Sequence, residues 1–429
     1  MNVTITPGPL SGTVTPPPSK SQAHRALIAA ALAQGESAVS NVALSQDIEA
    51  TVRCLEELGA EFAIDGSAAA VRGMGANPMS PLRRMAYPHL DCGESGSTLR
   101  FLIPIALAVR GGGIFTGRGR LMERPLKPYF DLFDEKGIFH ELKDGVLTVT
   151  GMLTPGIYRL PGDVSSQFVT GLLYALPLLE GDSAIILTSP LESRGYVNMT
   201  EQAMNQFGVY PGDLDEVWQH FDVDELDENK VADGYFVPGG QTYQPCSLTV
   251  EGDWSQGAFW YAARLLGSSV EVQGLDYPSA QGDSAIDAYE RLLSGNRDCS
   301  LRVGHCPDLA PPLAVMAALR AGNTTRLTNA ARLRMKESDR LASVAAVLNA
   351  LGAEVTEGPD LLEIHGKERL AGGVTVNSFN DHRVAMMAAI AAARCVKPIT
   401  ITGAECVAKS YPDFWEEYER LGGIIQRIP

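Results

Sequence analysis

Six times along the chain a short polar cluster opens a run of alanine, leucine and other apolar residues with almost no charge. Ser21-Gln22 leads into a run ending ALIAAALA, Ser95-Gly96-Ser97 into TLRFLIPIALA, and Ser165-Ser166-Gln167 into FVTGLLYALPLL. The second half repeats the pattern. Asp253-Trp254-Ser255-Gln256 leads into GAFWYAARLL, Asp308 into LAPPLAVMAAL, and Asn380-Asp381-His382-Arg383 into VAMMAAIAAA. A helix that is apolar on every face is a buried helix, so the pattern predicts a core helix at each opening. Helices of a second kind follow, apolar on one face and charged on the other, such as DIEATVRCLEEL and FWEEYERL. Most end in glycine, the residue expected just past a helix C-terminus. Short β-rich runs (LTVTG, AIILTS, SVEVQG, LLEIHG, ITITG) fill the gaps.

The repeating unit is roughly β-α-β-α-β-β, present six times, with a period longer than a solenoid repeat. At 429 residues the chain exceeds a single hydrophobic core, so an α/β protein of two domains with three units each is expected. The composition changes across residues 222–245, where the acidic run DVDELDEN gives way to VPGGQTYQPC, and the boundary is placed there.

A net charge of −16 disfavours nucleic acid or an anionic membrane as partner, since both require a basic surface. It leaves room for a small anionic substrate held by a local cluster of Lys and Arg. Seven cysteines, none in a CxxC pair, point to free thiols in a reducing compartment rather than disulfides or zinc. The histidines are scattered without ligand spacing, so no metal or other cofactor is expected. The opening MNVTITPG reads as a strand, no apolar run spans a bilayer, and the cytoplasm is the expected location.

Ser, Asp and Asn are the usual N-cap residues, so capping alone accounts for any single opening. Six together expose six sets of unpaired N–H groups at positive helix ends, and several aimed at one place form an anion site. Basic residues in Gly-, Ser- or Pro-flanked loops stand out from those on solvated helix faces: Lys20, Arg25, Arg124, Lys336, Arg340, Arg383 and Lys409. Arg100, inside a helical run, is a weaker candidate. Such a mixture suits phosphate and carboxylate, with Arg as a bidentate fork and Lys as a point charge. Asp308 and Glu337 are carboxylates able to move protons.

The ordered motifs PPSKSQAHR, DCGESGSTLRFL, DVSSQF, SRGYVNMT, EGDWSQGAF, PDLAPPLAV, RMKESDRL, FNDHR and AKSYPDFW, with Arg124-Pro125, resemble the EPSP synthase branch of the enolpyruvyl transferases across residues 9–417. The resemblance implies a two-domain fold of six βαβαββ units with the active site in the interdomain cleft. It implies domains of residues 19–243 and of 1–18 with 244–429, hinged near 16–20 and 238–246. The implied reaction transfers the enolpyruvyl group of phosphoenolpyruvate to the 5-hydroxyl of shikimate 3-phosphate. Motif matching assigns Lys20, Ser21, Arg25, Ser165, Ser166, Gln167, Ser193, Asp308 and Lys336 to shikimate 3-phosphate. Lys20, Gly96, Arg124, Gln167, Arg340, Arg383 and Lys409 fall to phosphoenolpyruvate. Asp308, Glu337 and Lys20 are the implied proton-transfer groups, and a monomer is expected.

Three positions depart from the family pattern. Glu94 stands where Asn is usual, Gly195 replaces a common Pro, and DWSQG replaces a run of small residues. Gly96 implies sensitivity to glyphosate. The related transferase acting on UDP-N-acetylglucosamine typically has Lys-Asn in place of Lys20-Ser21 and a cysteine near 111–124. This chain has no cysteine between Cys92 and Cys246. A non-catalytic α/β repeat binding protein is the alternative of another class, and it gives no reason for Asp308 and Glu337 among the basic set.

Overall fold

One stretch of the computed structural model, which describes residues 1–75, 86–221 and 231–428, shows the repeat in full. Strand His89–Asp91 leads through helix Gly96–Arg110 to strand Gly112–Thr116. Helix Lys127–Lys136 and the hairpin Phe139–Lys143 and Val146–Thr150 complete it. The first two strands are parallel because a helix crosses between them, whereas the hairpin adds antiparallel strands. The sheet order is first, second, fourth, third. Strands Cys299–Arg302, Thr324–Thr328, Glu354–Glu357 and Leu361–His365 repeat that order.

Two more sheets have the same order but take one strand from far along the chain. Ser247–Thr249 lies parallel to Glu36–Ser40, and Asn2–Thr6 sits between Ile399–Thr402 and Ile424–Ile428. Four of the six expected copies are therefore complete among the described residues. Among the described residues one further copy shows three strands, Gly156–Leu160, Ser183–Leu187 and Asp233–Val237, and another shows two, Ser11–Val14 and Ser269–Val272. In the two-stranded copy, the chain after Val272 passes through helix Ile286–Leu293 directly to Cys299, where the next copy begins, leaving no length for a hairpin.

The borrowed strands explain how the chain divides. One unit is Ser19–Val250, and the other joins Met1–Pro18 to Glu251–Pro429. The first unit holds α1 (Lys20–Leu32), α2 (Gln46–Leu58), α3 (Gly96–Arg110), α4 (Lys127–Lys136), α5 (Ser166–Ala175), α6 (Arg194–Gln206) and α7 (Leu214–His220). The second holds α8 (Trp254–Leu265), α9 (Ile286–Leu293), α10 (Ala310–Ala318), α11 (Arg340–Leu351), α12 (His382–Ala392) and α13 (Phe414–Arg420). Every residue of α10 and α12 is buried, as the apolar runs predict. The acidic run at 222–229 lies outside the described residues. Among those described, no helix is long and apolar enough to cross a membrane. All seven cysteines are unbridged.

Five of the six openings are capped helices, with Ser19, Ser95, Ser165, Asp253 and Asp381 accepting from N–H groups of the first turn. Ser19 rather than Ser21 caps α1. The sixth opening differs: α10 starts without a side-chain cap, after a 3-10 turn at Pro307–Leu309 that contains Asp308. The Asp308 carboxylate is thereby available for other partners.

A buried arginine fixes the loop between α9 and strand Cys299–Arg302. Arg320 donates through Nε to the Leu293 carbonyl (2.8 Å) and through Nη2 to those of Gly295 (2.9 Å) and Arg297 (2.8 Å). Its Nη1 donates to Thr325 Oγ1 at 2.7 Å. Arg320→Met strands these acceptors, and we expect a loss of about 3 kcal/mol, read as a lower urea midpoint at unchanged m value.

Candidate functional site

In the first unit the opening of α1 places two cations in different settings. Lys20 Nζ donates to Asp47 Oδ2 at 2.8 Å, and Asp47 lies in the first turn of α2. Arg25, one turn further along α1, is 2% exposed. Its Nε donates to Thr200 Oγ1 (2.9 Å) and its Nη1 to the Ser21 carbonyl (2.7 Å). The guanidinium carbon lies 5.2 Å from the Phe101 ring centre and 5.9 Å from that of Tyr196. Hydroxyls, a carbonyl and rings surround it, and among the described residues no carboxylate pairs with it. Burial lowers its pKa to about 10 despite the nearby Tyr174 and Tyr196. A buried cation without a counter-ion is costly unless a ligand supplies one.

A second cluster forms where α3 begins. Gly96 is its first residue, and a Cβ there would stand 2.8 Å from Arg124 Nη1, 3.3 Å from Arg100 Nη1 and 3.6 Å from Gln167 Oε1. Arg100 Nη1 donates to Gln167 Oε1 (2.7 Å), and Gln167 Nε2 donates to Ser97 Oγ (3.0 Å). Two guanidinium groups thus converge beside a helix N-terminus, an arrangement suited to an anion. Ser165 caps α5 by accepting from the Gln167 N–H, and Ser166 is buried in the first turn. Ser193, before α6, is buried and in the left-handed region (φ +59°), a strained conformation for a residue with a side chain. Glu94 lies against a neighbouring loop, where a Cβ on Gly119 would meet its Oε2 at 2.8 Å.

The second unit carries a denser cluster. Asp308 Oδ1 accepts from Arg340 Nη1 (2.9 Å) and lies 3.7 Å from Lys336 Nζ, while Oδ2 accepts from Arg383 Nη2 (2.8 Å). Arg340, 1% exposed, also donates from Nε to Asp381 Oδ2 (2.9 Å) and from Nη2 to Glu337 Oε2. Arg383 Nη2 further donates to Ser255 Oγ (3.0 Å), and Lys409 Nζ to the Asn380 carbonyl (2.8 Å). Burial alone would raise the Asp308 carboxyl, but Arg383, Lys336 and Arg340 outweigh it and hold it far below the usual carboxylate range. Burial pushes the Lys336 ammonium down to about 8, only partly offset by Asp308. Arg340 is also buried, yet Asp381, Glu337 and Asp308 keep it charged.

The structure therefore brings Gly96, Arg124 and Gln167 together in the first unit, with Arg25 beside Ser21. In the second it gathers Asp308, Lys336, Glu337, Arg340 and Arg383. Arg100, the weaker candidate, joins them, as do three residues that carried no predicted site role: Asp47, Ser255 and Asp381. Arg100 was legible, since it lies one helical turn after Gly96 and hence on the same face. Asp381 and Ser255 were visible as part of polar openings, but only a cap role was evident. Asp47 gave no signal, because an acidic residue in a first turn is ordinary.

A sequence model of the family described as EPSP synthase (3-phosphoshikimate 1-carboxyvinyltransferase) matches residues 5–418. A 3-phosphoshikimate 1-carboxyvinyltransferase of Clostridium kluyveri is 43% identical over 440 residues, covering 99% of this chain and 98% of the relative. Its namesake from Clostridium acetobutylicum is 44% identical over 442 residues with the same coverage. A solved EPSP synthase of Acinetobacter baumannii superposes with a TM-score of 0.77 at 23% identity, covering 99% of this chain and 100% of that one, a likeness of fold.

The uncompensated charge of Arg25 has a stability consequence. Arg25→Met is expected to leave unfolding free energy unchanged or raise it by about 1 kcal/mol, measured by urea unfolding without ligand. A large loss would show that the guanidinium is a structural tie.

Proposed function

The chain belongs to the EPSP synthase family, and from that premise we propose that its polar clusters hold the two substrates of enolpyruvyl transfer. The reaction moves the enolpyruvyl group of phosphoenolpyruvate onto the 5-hydroxyl of shikimate 3-phosphate and releases phosphate. The observation that carries the residue assignment is Arg25, a buried guanidinium with no carboxylate paired to it among the described residues. We assign it, with Lys20, Ser21, Ser165, Ser166, Gln167, Ser193 and Lys336, to shikimate 3-phosphate. Phosphoenolpyruvate falls to Lys20, Gly96, Arg124, Gln167, Arg340, Arg383 and Lys409, with Arg100 added from its place beside Gly96.

The chemistry is addition followed by elimination. The 5-hydroxyl oxygen adds to C2 of phosphoenolpyruvate, losing its proton, while a proton is delivered to C3. The resulting tetrahedral intermediate returns the C3 proton as its C2–O bond to phosphate breaks. Asp308 is assigned as base toward the hydroxyl and also as a shikimate 3-phosphate contact. Glu337 and Lys20 are assigned to the C3 proton. Both carboxylates share the Arg340 guanidinium, so a substrate anion that engages Arg340 changes the proton affinity of both. The two described units serve as the domains, the chain crossing near Pro18 and again near Val250. One chain carries every group the mechanism calls on, so a monomer suffices. Seven unbridged thiols fit the cytoplasm.

The test is phosphate release. It should require phosphoenolpyruvate and shikimate 3-phosphate together, and release with UDP-N-acetylglucosamine instead would overturn the assignment of acceptor. Gly96→Ala directs a methyl at Arg124 Nη1, 2.8 Å away. It should raise KM for phosphoenolpyruvate about tenfold and weaken inhibition by glyphosate at least as much, with KM for shikimate 3-phosphate unmoved. Lys336 loses its proton with a pKa of about 8 in the free enzyme, and the charged form binds the anion. Hence kcat/KM for shikimate 3-phosphate should fall as pH rises through about 8, and Lys336→Arg should move that limb beyond the measurable range.

A further inference from the structure

Beneath the first unit's cluster runs a buried chain of polar side chains that ties three helices together. His24 of α1 lies 2.8 Å, through Nδ1, from Thr51 Oγ1 of α2. Thr51 Oγ1 is 2.6 Å from Thr98 Oγ1 of α3, and Thr98 Oγ1 donates to Ser95 Oγ at 2.7 Å. Ser95 is the cap of α3 and also accepts from the Thr98 N–H (3.2 Å). His24, Thr51, Thr98 and Ser95 are all buried. The residue after Ser95 is Gly96, beside Arg100 and Arg124.

The protons of this chain run in one direction. Thr98 gives its hydroxyl proton to Ser95, so its oxygen accepts from Thr51, and the Thr51 oxygen accepts from His24 Nδ1–H. The weaker alternatives end on the Asp47 carbonyl, at 3.3 Å from Thr51 and 3.5 Å from Thr98. Asp47 is the residue that pairs with Lys20. Burial, reinforced by Lys20 and Arg25, holds the His24 pKa well below its ordinary value, so the ring is neutral and Nε2 is bare. Consistent with this, Nε2 has no hydrogen-bond partner among the described residues.

We propose that Thr51, acting through Thr98, is a positioning residue that fixes the start of α3, and hence Gly96, relative to the helices carrying Lys20 and Asp47. None of the four side chains needs to touch substrate. Their effect reaches it through the Ser95 cap, which sets where the first N–H groups of α3 and the Gly96 backbone stand. This inference rests on the reading of Gly96 as part of the phosphoenolpyruvate site.

The test compares Thr51→Val, which keeps the shape and removes the hydroxyl, with Thr51→Ser, which keeps the hydroxyl, in the full-length enzyme. Thr51→Val should raise KM for phosphoenolpyruvate about tenfold while KM for shikimate 3-phosphate changes less than about twofold. Thr51→Ser should restore the wild-type value. Nitrogen-15 NMR of the wild-type His24 ring should show Nδ1 protonated and Nε2 bare, a readout that does not depend on any variant folding. An unchanged KM for phosphoenolpyruvate in Thr51→Val, equal rises in both KM values, or a ring protonated at Nε2 would each overturn the proposal. If the wild type releases no phosphate, the transferase assignment itself falls. If it does and Thr51→Val matches it, only the positioning role falls.

Discussion

Charge taken out of water must be neutralised, and this constraint organises both polar clusters. Arg340 is almost wholly buried and is held by carboxylates from three elements: Asp308 before α10, Glu337 before α11 and Asp381 at the start of α12. Removing the guanidinium would strip the wholly buried Asp381 carboxylate of the cation it pairs with, which is far more costly than the pair is stabilising. The ion pairs therefore fix how the starts of α10, α11 and α12 stand relative to one another. Arg25 is the opposite case. Its neighbours among the described residues are Thr200, a backbone carbonyl and two rings, none of which carries the opposite charge.

The repeat places such groups at helix starts. Each complete copy sends a parallel strand into a buried helix, and the polar residues stand at the turn between them. The two borrowed strands, Asn2–Thr6 and Ser247–Thr249, complete sheets whose other strands lie elsewhere in sequence. They return each end of a unit to its own core, and they bring residues 1–18 into the unit that carries Asp308.

Much of this was legible because the apolar runs are unusually pure. Helices such as α10 and α12, buried on every face, read as core without any partner being known. The caps were equally plain, since Ser, Asp and Asn before such runs have a local physical reason to be there. What the sequence could not separate was a cap from a charge partner. Asp308 and Asp381 open similar runs, yet Asp308 caps nothing and binds two guanidinium groups, while Asp381 caps α12 and also grips Arg340. That difference depends on which helix starts face each other, a long-range fact absent from local pattern. The two-stranded copy was hidden for a similar reason, because a missing hairpin shows only as chain length spent elsewhere.

The crowding around Asp308 has a consequence for the proposed chemistry. Three cations hold its pKa far below the usual range, which makes the unliganded carboxylate a weak base. The same cations, Arg340, Arg383 and Lys336, are those assigned to substrate anions. A phosphate or carboxylate that engages them adds negative charge beside Asp308 and divides the stabilisation it had alone, so its proton affinity rises as the ligands arrive. Base strength would then be greatest when both substrates are in place and small otherwise. An arrangement of four cations and three carboxylates, in which Arg340 alone binds Asp308, Glu337 and Asp381, thus does more than balance charge. On the proposed assignment, it makes deprotonation of the acceptor hydroxyl by Asp308 conditional on occupancy.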